Sequence, residues 1–425
     1  MGTLIRNVRP IGASASNINL RFEENRIASL STSEPASQAG DVEIDGGKRL
    51  AISGFINAHT HLAMVLFRGL ADDVPLQVWL EEYVWPIEQL LTPEDVYWCT
   101  LLGIAEGIRS GTTAFVDMYF HCDQVARAVE ESGVRALLSY GMIAPSLEDR
   151  GSSELETSKA FVRQWHDQAD GRIQVALSPH AVYTCGEDVW RNAIELAHKL
   201  GVSLHTHVSE TRSEVEAWLA KVGMTPVRYL NSIDAFSVPM LAAHCVHVDE
   251  EDIAILADHP VTVAHCPKSN AKLGSGIAPL PAMNQAGVCV ALGTDGAASN
   301  NRLDMVEEMR ASWMLQRAHH EDPTHLSSQD VVAMAVNAGR NILGLPEDGL
   351  SQGAPADLVL LDTDRIHTTP PHDPTAMLAY AANSADVTDV YVDGKPLLKG
   401  GELRTIDEER VKSEVRRLLH RIKDR

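Results

Sequence analysis

Apolar residues in this chain fall into short blocks that keep two rhythms. Near the start, Thr3–Pro10, Asn17–Phe22 and Arg26–Leu30 are brief β-prone runs broken by polar, turn-forming residues, which predicts three short strands. The far end reads the same way: Asp357–Leu361 predicts a strand, and Val387–Leu398 a hairpin turning at Asp393-Gly394, a strong turn dipeptide. Between these ends, strand-length apolar runs alternate with helical stretches. The runs are Ala51–Ile56, Thr113–Met118, Ala136–Gly141, Ile173–Leu177, Ser203–Val208, Met240–His244, Val261–His265 and Val288–Thr294. Eight strands with helices between them predict an α/β fold, a distorted (β/α)8 TIM barrel. The barrel would occupy residues 53–354. A small β-sandwich domain would be built jointly from both termini (1–52 and 355–403), and 404–425 would form a charged C-terminal helix. No internal repeat or low-complexity linker interrupts this order.

Composition narrows the function. Of 425 residues, 44% are hydrophobic and 22% charged, ordinary for a globular enzyme. A formal charge of −22 repels phosphate backbones and anionic lipid heads, which argues against nucleic-acid and membrane partners. Met1–Pro10 has no signal-peptide pattern, and no apolar run is of transmembrane length. The six cysteines form no C-x-x-C pair, so neither a zinc ribbon nor a disulfide framework is expected, and a reducing cytoplasm is the simplest home.

The chemistry concentrates at strand ends. Gly54-Phe55-Ile56-Asn57-Ala58-His59-Thr60-His61 carries two histidines one residue apart. Side chains two apart on a strand point the same way, so two imidazoles can grip one metal ion. In such barrels the chemistry sits at the C-terminal strand ends. The fifth strand ends with His207 and Glu210, the sixth with His244 and the eighth with Asp295. These imidazoles and carboxylates suit zinc with a position left for water. His205 shares a face with His207 and is an alternative ligand on periodicity alone; the spacing to Glu210 favours His207. His247 and His265 read as outer-layer support. Asp295 before Gly296 also reads as a turn aspartate, and Glu210 as a helix first-turn acid.

Together with Arg68-Gly69-Leu70-Ala71-Asp72-Asp73, Trp85-Pro86-Ile87-Glu88, His244-Cys245-Val246-His247, Ser269-Asn270-Ala271-Lys272 and Gly293-Thr294-Asp295-Gly296-Ala297-Ala298-Ser299-Asn300, the chain resembles the metal-dependent amidohydrolase superfamily, in its adenosine-deaminase-like branch, over nearly its whole length. The resemblance implies that His59, His61, His207 and Asp295 hold a metal. It implies Asp295 facing the bound water, Glu210 as proton shuttle and His244 orienting the attacking hydroxide. Two-metal relatives need a lysine at the end of the fourth strand, and Gln174–His180 has none, so one divalent ion is expected. Zinc is favoured, and iron would accept the same ligands.

The resemblance further implies hydrolytic deamination of an adenine nucleoside (adenosine, 5′-methylthioadenosine or S-adenosylhomocysteine) to the inosine-type product and ammonia, in a homo-oligomer. Trp79 and Glu88 would line the nucleoside site, the carboxylate accepting from both ribose hydroxyls. His180 would contact the purine, Ser299 would face the substrate, and Arg150 would reach its far end. Some relatives carry an arginine where this chain has Tyr140, which puts recognition of the homocysteine carboxylate in doubt. Two other readings stand beside this one: hydrolysis of another ring (guanine, triazine or a cyclic amide), and a catalytically silent binding scaffold. The scaffold reading would fit a chain that had lost a ligand or Glu210, and none is missing.

Overall fold

The computed structural model describes residues 2–12, 16–33, 40–70, 73–74 and 78–423. Ala71 and Asp72 of the Arg68–Asp73 motif, and the last two residues of the expected C-terminal helix, lie outside the described residues. Five strands come first: β1 (Gly2–Pro10), β2 (Ile18–Glu23), β3 (Arg26–Ser31), β4 (Val42–Asp45) and β5 (Arg49–Ser53). Eight follow in a parallel sheet: β6 (Phe55–Thr60), β7 (Thr112–Tyr119), β8 (Arg135–Met142), β9 (Ile173–Pro179), β10 (Leu204–Val208), β11 (Met240–His244), β12 (Val261–His265) and β13 (Cys289–Leu292). The last four, β14 (Leu358–Asp362), β15 (Val387–Val392), β16 (Lys395–Lys399) and β17 (Glu402–Leu403), return to the first sheet.

That first sheet runs β17-β16-β15-β14-β5-β1-β2-β3, with β4 beside β1. Phe22 on β2 and Tyr391 on β15 have three strands between them in this order, yet their rings meet at 5.3 Å. The sheet therefore folds over on itself around Ile5, Leu20, Ile27, Leu358 and Leu360, which gives the sandwich its inner faces. The hairpin turns at Asp393 and Gly394, both with positive φ.

One expected strand is two. The run Ala51–Ile56 breaks at Gly54: β5 pairs antiparallel with β14 in the terminal sheet, whereas β6 opens the barrel. A Cβ on Gly54 would sit 2.0 Å from Thr113 Oγ1, so only glycine lets the chain cross so close to β7. Apolar continuity hid the change of sheet. β4, with alternate acids in Val-Glu-Ile-Asp, carried too little apolar signal to be expected.

The barrel interior is filled by small and branched residues, among them Ile56, Ala58, Val116, Leu137, Ala176, Leu241 and Ala291. The ladder from β6 to β7 slips by one residue between Asn57 and Thr60, a β-bulge. Ile56 and Ala58 thus fill the interior below, while His59 and His61 are re-aimed into the mouth. The barrel is distorted at two seams. β9 and β10 share one register pair, Leu177 with Leu204. Between β13 and β6, the Asn57 side chain bridges to Thr294 through two hydrogen bonds of 2.7 and 2.9 Å.

Arg135 at the foot of β8 ties the two sheets together. Its guanidinium, 9% exposed, forks onto Asp357 at 2.7 and 3.0 Å and also reaches Asp393. The helix Glu408–Lys423 lies on the helix Pro93–Arg109 and buries Val411 and Leu418. All six cysteines are free thiols. No helix among the described residues is long and apolar enough to cross a membrane.

Candidate active site

His59, His61 and His207 bring one ligand nitrogen each within 4.8 Å of one another at the barrel mouth. Their second nitrogens are fixed. His61 Nδ1 donates to Met118 O at 2.6 Å, and His207 Nδ1 donates to His180 O at 2.9 Å. Each bond leaves Nε2 as a lone pair, the form a metal needs. His59 is fully buried, and its Nε2 has no partner among the described residues. Asp295 Oδ1 stands 3.6 Å from that nitrogen and 3.3 Å from His61 Nε2. An orphaned buried imidazole nitrogen beside two more and a carboxylate fits a divalent transition metal. His205 is not part of this face: its Nε2 meets His59 Nδ1 at 2.9 Å, behind the cluster.

Asp295 sits at φ 61° just past β13, a conformation costly for a side chain with Cβ and typical of functional sites. The turn reading and the site reading hold together: Asp295 Oδ1 accepts from Gly296 N, and Oδ2 accepts from the hydroxyls of Ser269 (2.7 Å) and Ser299 (2.9 Å). Ser299 lines the cavity, with its hydroxyl 2.9 Å from Asp295 Oδ2 and 3.2 Å from Gly296 O. His244, at the end of β11 with φ 74°, bonds through Nδ1 to Asn270 Oδ1 at 2.9 Å, and its Nε2 lies 3.8 Å from Glu210 Oε2. Ser269 and Asn270 were legible as a motif but not as partners, because only the fold brings the segment after β12 under β11 and β13.

Charge in the site is set by burial and neighbours. Burial, with repulsion from adjacent rings, pushes His59 and His207 well below the ordinary imidazole range and so keeps them neutral. Burial also lowers His180 to about 4. For Asp295 burial opposes the charge, but His61, His244 and Ser269 outweigh it and hold its pKa below the ordinary value. His244 goes the other way: burial disfavours its cation, yet Glu210 and Asp295 raise its pKa. Glu210 is raised, chiefly by burial.

The cavity above these groups opens to solvent and encloses about 850 Å³ of empty space, part of it at the open mouth. Trp79 opens one π-helical turn, Trp79–Val84, which leads into the short helix Trp85–Glu88. Trp79 is buried and walls the cavity, with its Nε1 donating to Leu70 O. Glu88 Oε1 accepts from Tyr119 at 2.8 Å, and burial raises the Glu88 pKa against the pull of Tyr119 and His61. His180 lines the cavity beside His207, ring centroids 4.6 Å apart. Arg150 does not join the site. It pairs with Glu154 at 2.8 Å on the outer helix Gly151–Trp165 and is absent from the cavity wall. Tyr140 likewise turns outward to Glu154, while Gly141 and Ile143 line the cavity. Alternation along β8 places Tyr140 on the face opposite Leu137, Ser139 and Gly141.

Together the barrel and its mouth define a metal-dependent hydrolase. In comparison with known proteins, residues 50–397 match the Amidohydrolase family. A 5-methylthioadenosine/S-adenosylhomocysteine deaminase from Pelotomaculum thermopropionicum is 49% identical over 383 residues, 90% of this chain and 88% of the relative. A 5′-deoxyadenosine deaminase from Methanothermobacter thermautotrophicus is 46% identical over 390 residues, 92% of this chain and 91% of the relative. The crystal structure of an adenosine deaminase from Xanthomonas campestris with bound zinc superposes with a TM-score of 0.92 at 32% identity, covering 100% of this chain and 98% of that one. The chain belongs to the amidohydrolase family.

Proposed function

We propose that this chain hydrolyses the exocyclic amine of an adenine nucleoside, releasing ammonia and leaving the 6-oxo base. The observation that carries the reading is the meeting, in one buried mouth, of His59, His61, His207 and Asp295 with a Glu210–His244 pair beside them. The similarity to nucleoside-deaminase relatives supports the substrate class. In this reading His59, His61, His207 and Asp295 hold one divalent ion, and zinc suits the donor set best.

When bound, such an ion supplies water with a pKa near about 7, against 15.7 in bulk. Glu210 takes a proton from the attacking water and delivers it to the ring nitrogen next to the amine-bearing carbon, which makes that carbon electrophilic. Asp295 and His244 would hold the attacking oxygen. A carbon–oxygen bond forms and the carbon–nitrogen bond breaks; of the two protons that water brings, one stays on the ring nitrogen by way of Glu210 and the other joins the NH2 group, which leaves as ammonia. Glu88 accepts from the ribose hydroxyls, with Tyr119 holding one of its oxygens in place. Trp79 walls the base and sugar.

No lysine or arginine lines the cavity among the described residues, and Ile143, Phe120 and Trp85 give its outer wall an apolar character. A neutral, compact 5′ group fits that wall better than a charged amino-acid tail. A panel of adenosine, 5′-deoxyadenosine, 5′-methylthioadenosine, S-adenosylhomocysteine, guanine and a chlorotriazine, followed by ultraviolet absorbance and ammonia release, tests the reading. The first three should turn over, S-adenosylhomocysteine should have the lowest kcat/KM of the nucleosides, and guanine and the triazine should be inert. Turnover of guanine or triazine in preference to the nucleosides would contradict it.

A further inference from the structure

We infer that His205, with Ser139 behind it, fixes His59 in the tautomer that can bind a metal; the inference rests on the metal reading above. His61 and His207 each donate Nδ1–H straight to a backbone carbonyl. A carbonyl oxygen only accepts, so the tautomer of those two rings is decided by one bond. His59 is held differently. Its Nδ1 meets His205 Nε2, an atom able to donate or accept. The direction is set further back in a file of buried groups: His205 Nδ1 lies 3.0 Å from Ser139 Oγ, and Ser139 Oγ donates to Asp117 O at 3.0 Å.

Ser139 has a single hydroxyl proton, and the Asp117 carbonyl takes it. The serine oxygen then accepts from His205, which therefore carries its hydrogen on Nδ1. His205 is fully buried and, as a neutral ring, presents a lone pair at Nε2. His59 Nδ1 donates to that lone pair, which leaves the lone pair of His59 Nε2, an atom with no hydrogen-bond partner among the described residues, facing the cluster. The reverse polarity would put a hydrogen on His59 Nε2, in the metal's place, and leave Asp117 O without its hydroxyl donor. One carbonyl thus sets a proton order across two side chains, and His205 and Ser139 are positioning residues for a metal ligand.

The test is zinc titration of the metal-stripped full chain against a chromophoric chelator, with circular dichroism confirming that each metal-free variant is folded. Ser139→Ala removes the acceptor that orders His205, and His205→Leu removes the relay. Each should weaken zinc binding by about 10- to 100-fold, the usual loss when a ligand's outer partner is removed. His205→Gln offers a carbonyl oxygen to His59 and an amide N–H to Ser139, so it should bind zinc nearly as the parent does. A folded Ser139→Ala or His205→Leu protein with parental zinc affinity would overturn the inference, as would His205→Gln binding as weakly as His205→Leu. Ser139→Ala decides the matter if His205→Leu does not fold. A parent protein that fails to bind zinc at all would instead overturn the metal reading itself.

Discussion

Glu210 and Glu88 are both buried carboxylates in one cavity, but their neighbours give them different work. Glu210 faces His244 Nε2 at 3.8 Å, with a pKa raised by burial, and in the proposed reading it carries a proton to the ring. Glu210→Gln keeps size and hydrogen bonding but cannot shuttle. It should retain the metal while kcat falls by about 10²–10⁴-fold, the typical worth of a general acid–base group. Metal analysis alongside steady-state kinetics checks both halves, and parental turnover would remove Glu210 from the chemistry. Glu88 is tied to Tyr119, and in the proposed reading it meets sugar rather than base. Glu88→Ala should lower kcat/KM for adenosine by about 10- to 100-fold, matching about 1.5–3 kcal/mol for hydrogen bonds to a charged group. Competition by free adenine should hardly change; equal losses for both would rule out ribose recognition. At this scale the sequence was most legible where spacing alone decides geometry, as for His59 and His61. It was least legible where two readings shared a face. His205 and His207 have the same periodicity, and only the splay of β9 from β10 and the position of Ser139 on β8 separate a candidate ligand from its support.

The loop after β13 carries Asp295 and is held by the elements that follow it. Asn300, in the short helix Ala297–Asn300, donates to Thr294 O at 2.6 Å and to Glu308 Oε1 at 2.7 Å. Glu308 is fully buried at the start of the helix Met305–His320, and burial raises its pKa from 4.5 to about 8 against the pull of Lys268 and Asn300. Between pH 4.5 and about 8 the native protein therefore binds a proton at Glu308 that the unfolded chain has released. Wild-type stability should fall across that window as pH rises, by at most about 1.4 kcal/mol per pH unit from this group. Glu308→Gln, with no proton to lose, should gain on the parent steadily from pH 5 to 8 in urea unfolding. A constant difference between the two would show that Glu308 keeps its charge state through folding. Elements were legible as types and less so as assignments. The eight barrel runs stand out because each is apolar and bounded by turns. The split at Gly54 did not, because β5 and β6 are both apolar and only the sheet they join distinguishes them.

As a whole the molecule has a barrel core and a folded terminal sheet, pinned by Arg135 between Asp357 and Asp393. Arg135→Ala would strand the buried Asp357 and the half-buried Asp393 and should cost about 3–5 kcal/mol in denaturant unfolding, the range for breaking a buried ion pair from one side. A change near zero would mean the pair merely offsets its own desolvation. The joint was hidden from the sequence: its partners lie 222 and 258 residues away and have no local pattern. The central claim spans every scale, namely that one divalent ion, held by side chains from β6 and β10 and from the loop after β13, makes this barrel a deaminase. Its most direct test is to strip the protein with a chelator and restore zinc stepwise while following 5′-deoxyadenosine deamination. The account predicts no activity in the stripped protein and a linear return that saturates at one equivalent per chain. Activity that survives complete stripping, or a return that requires two equivalents, would contradict it.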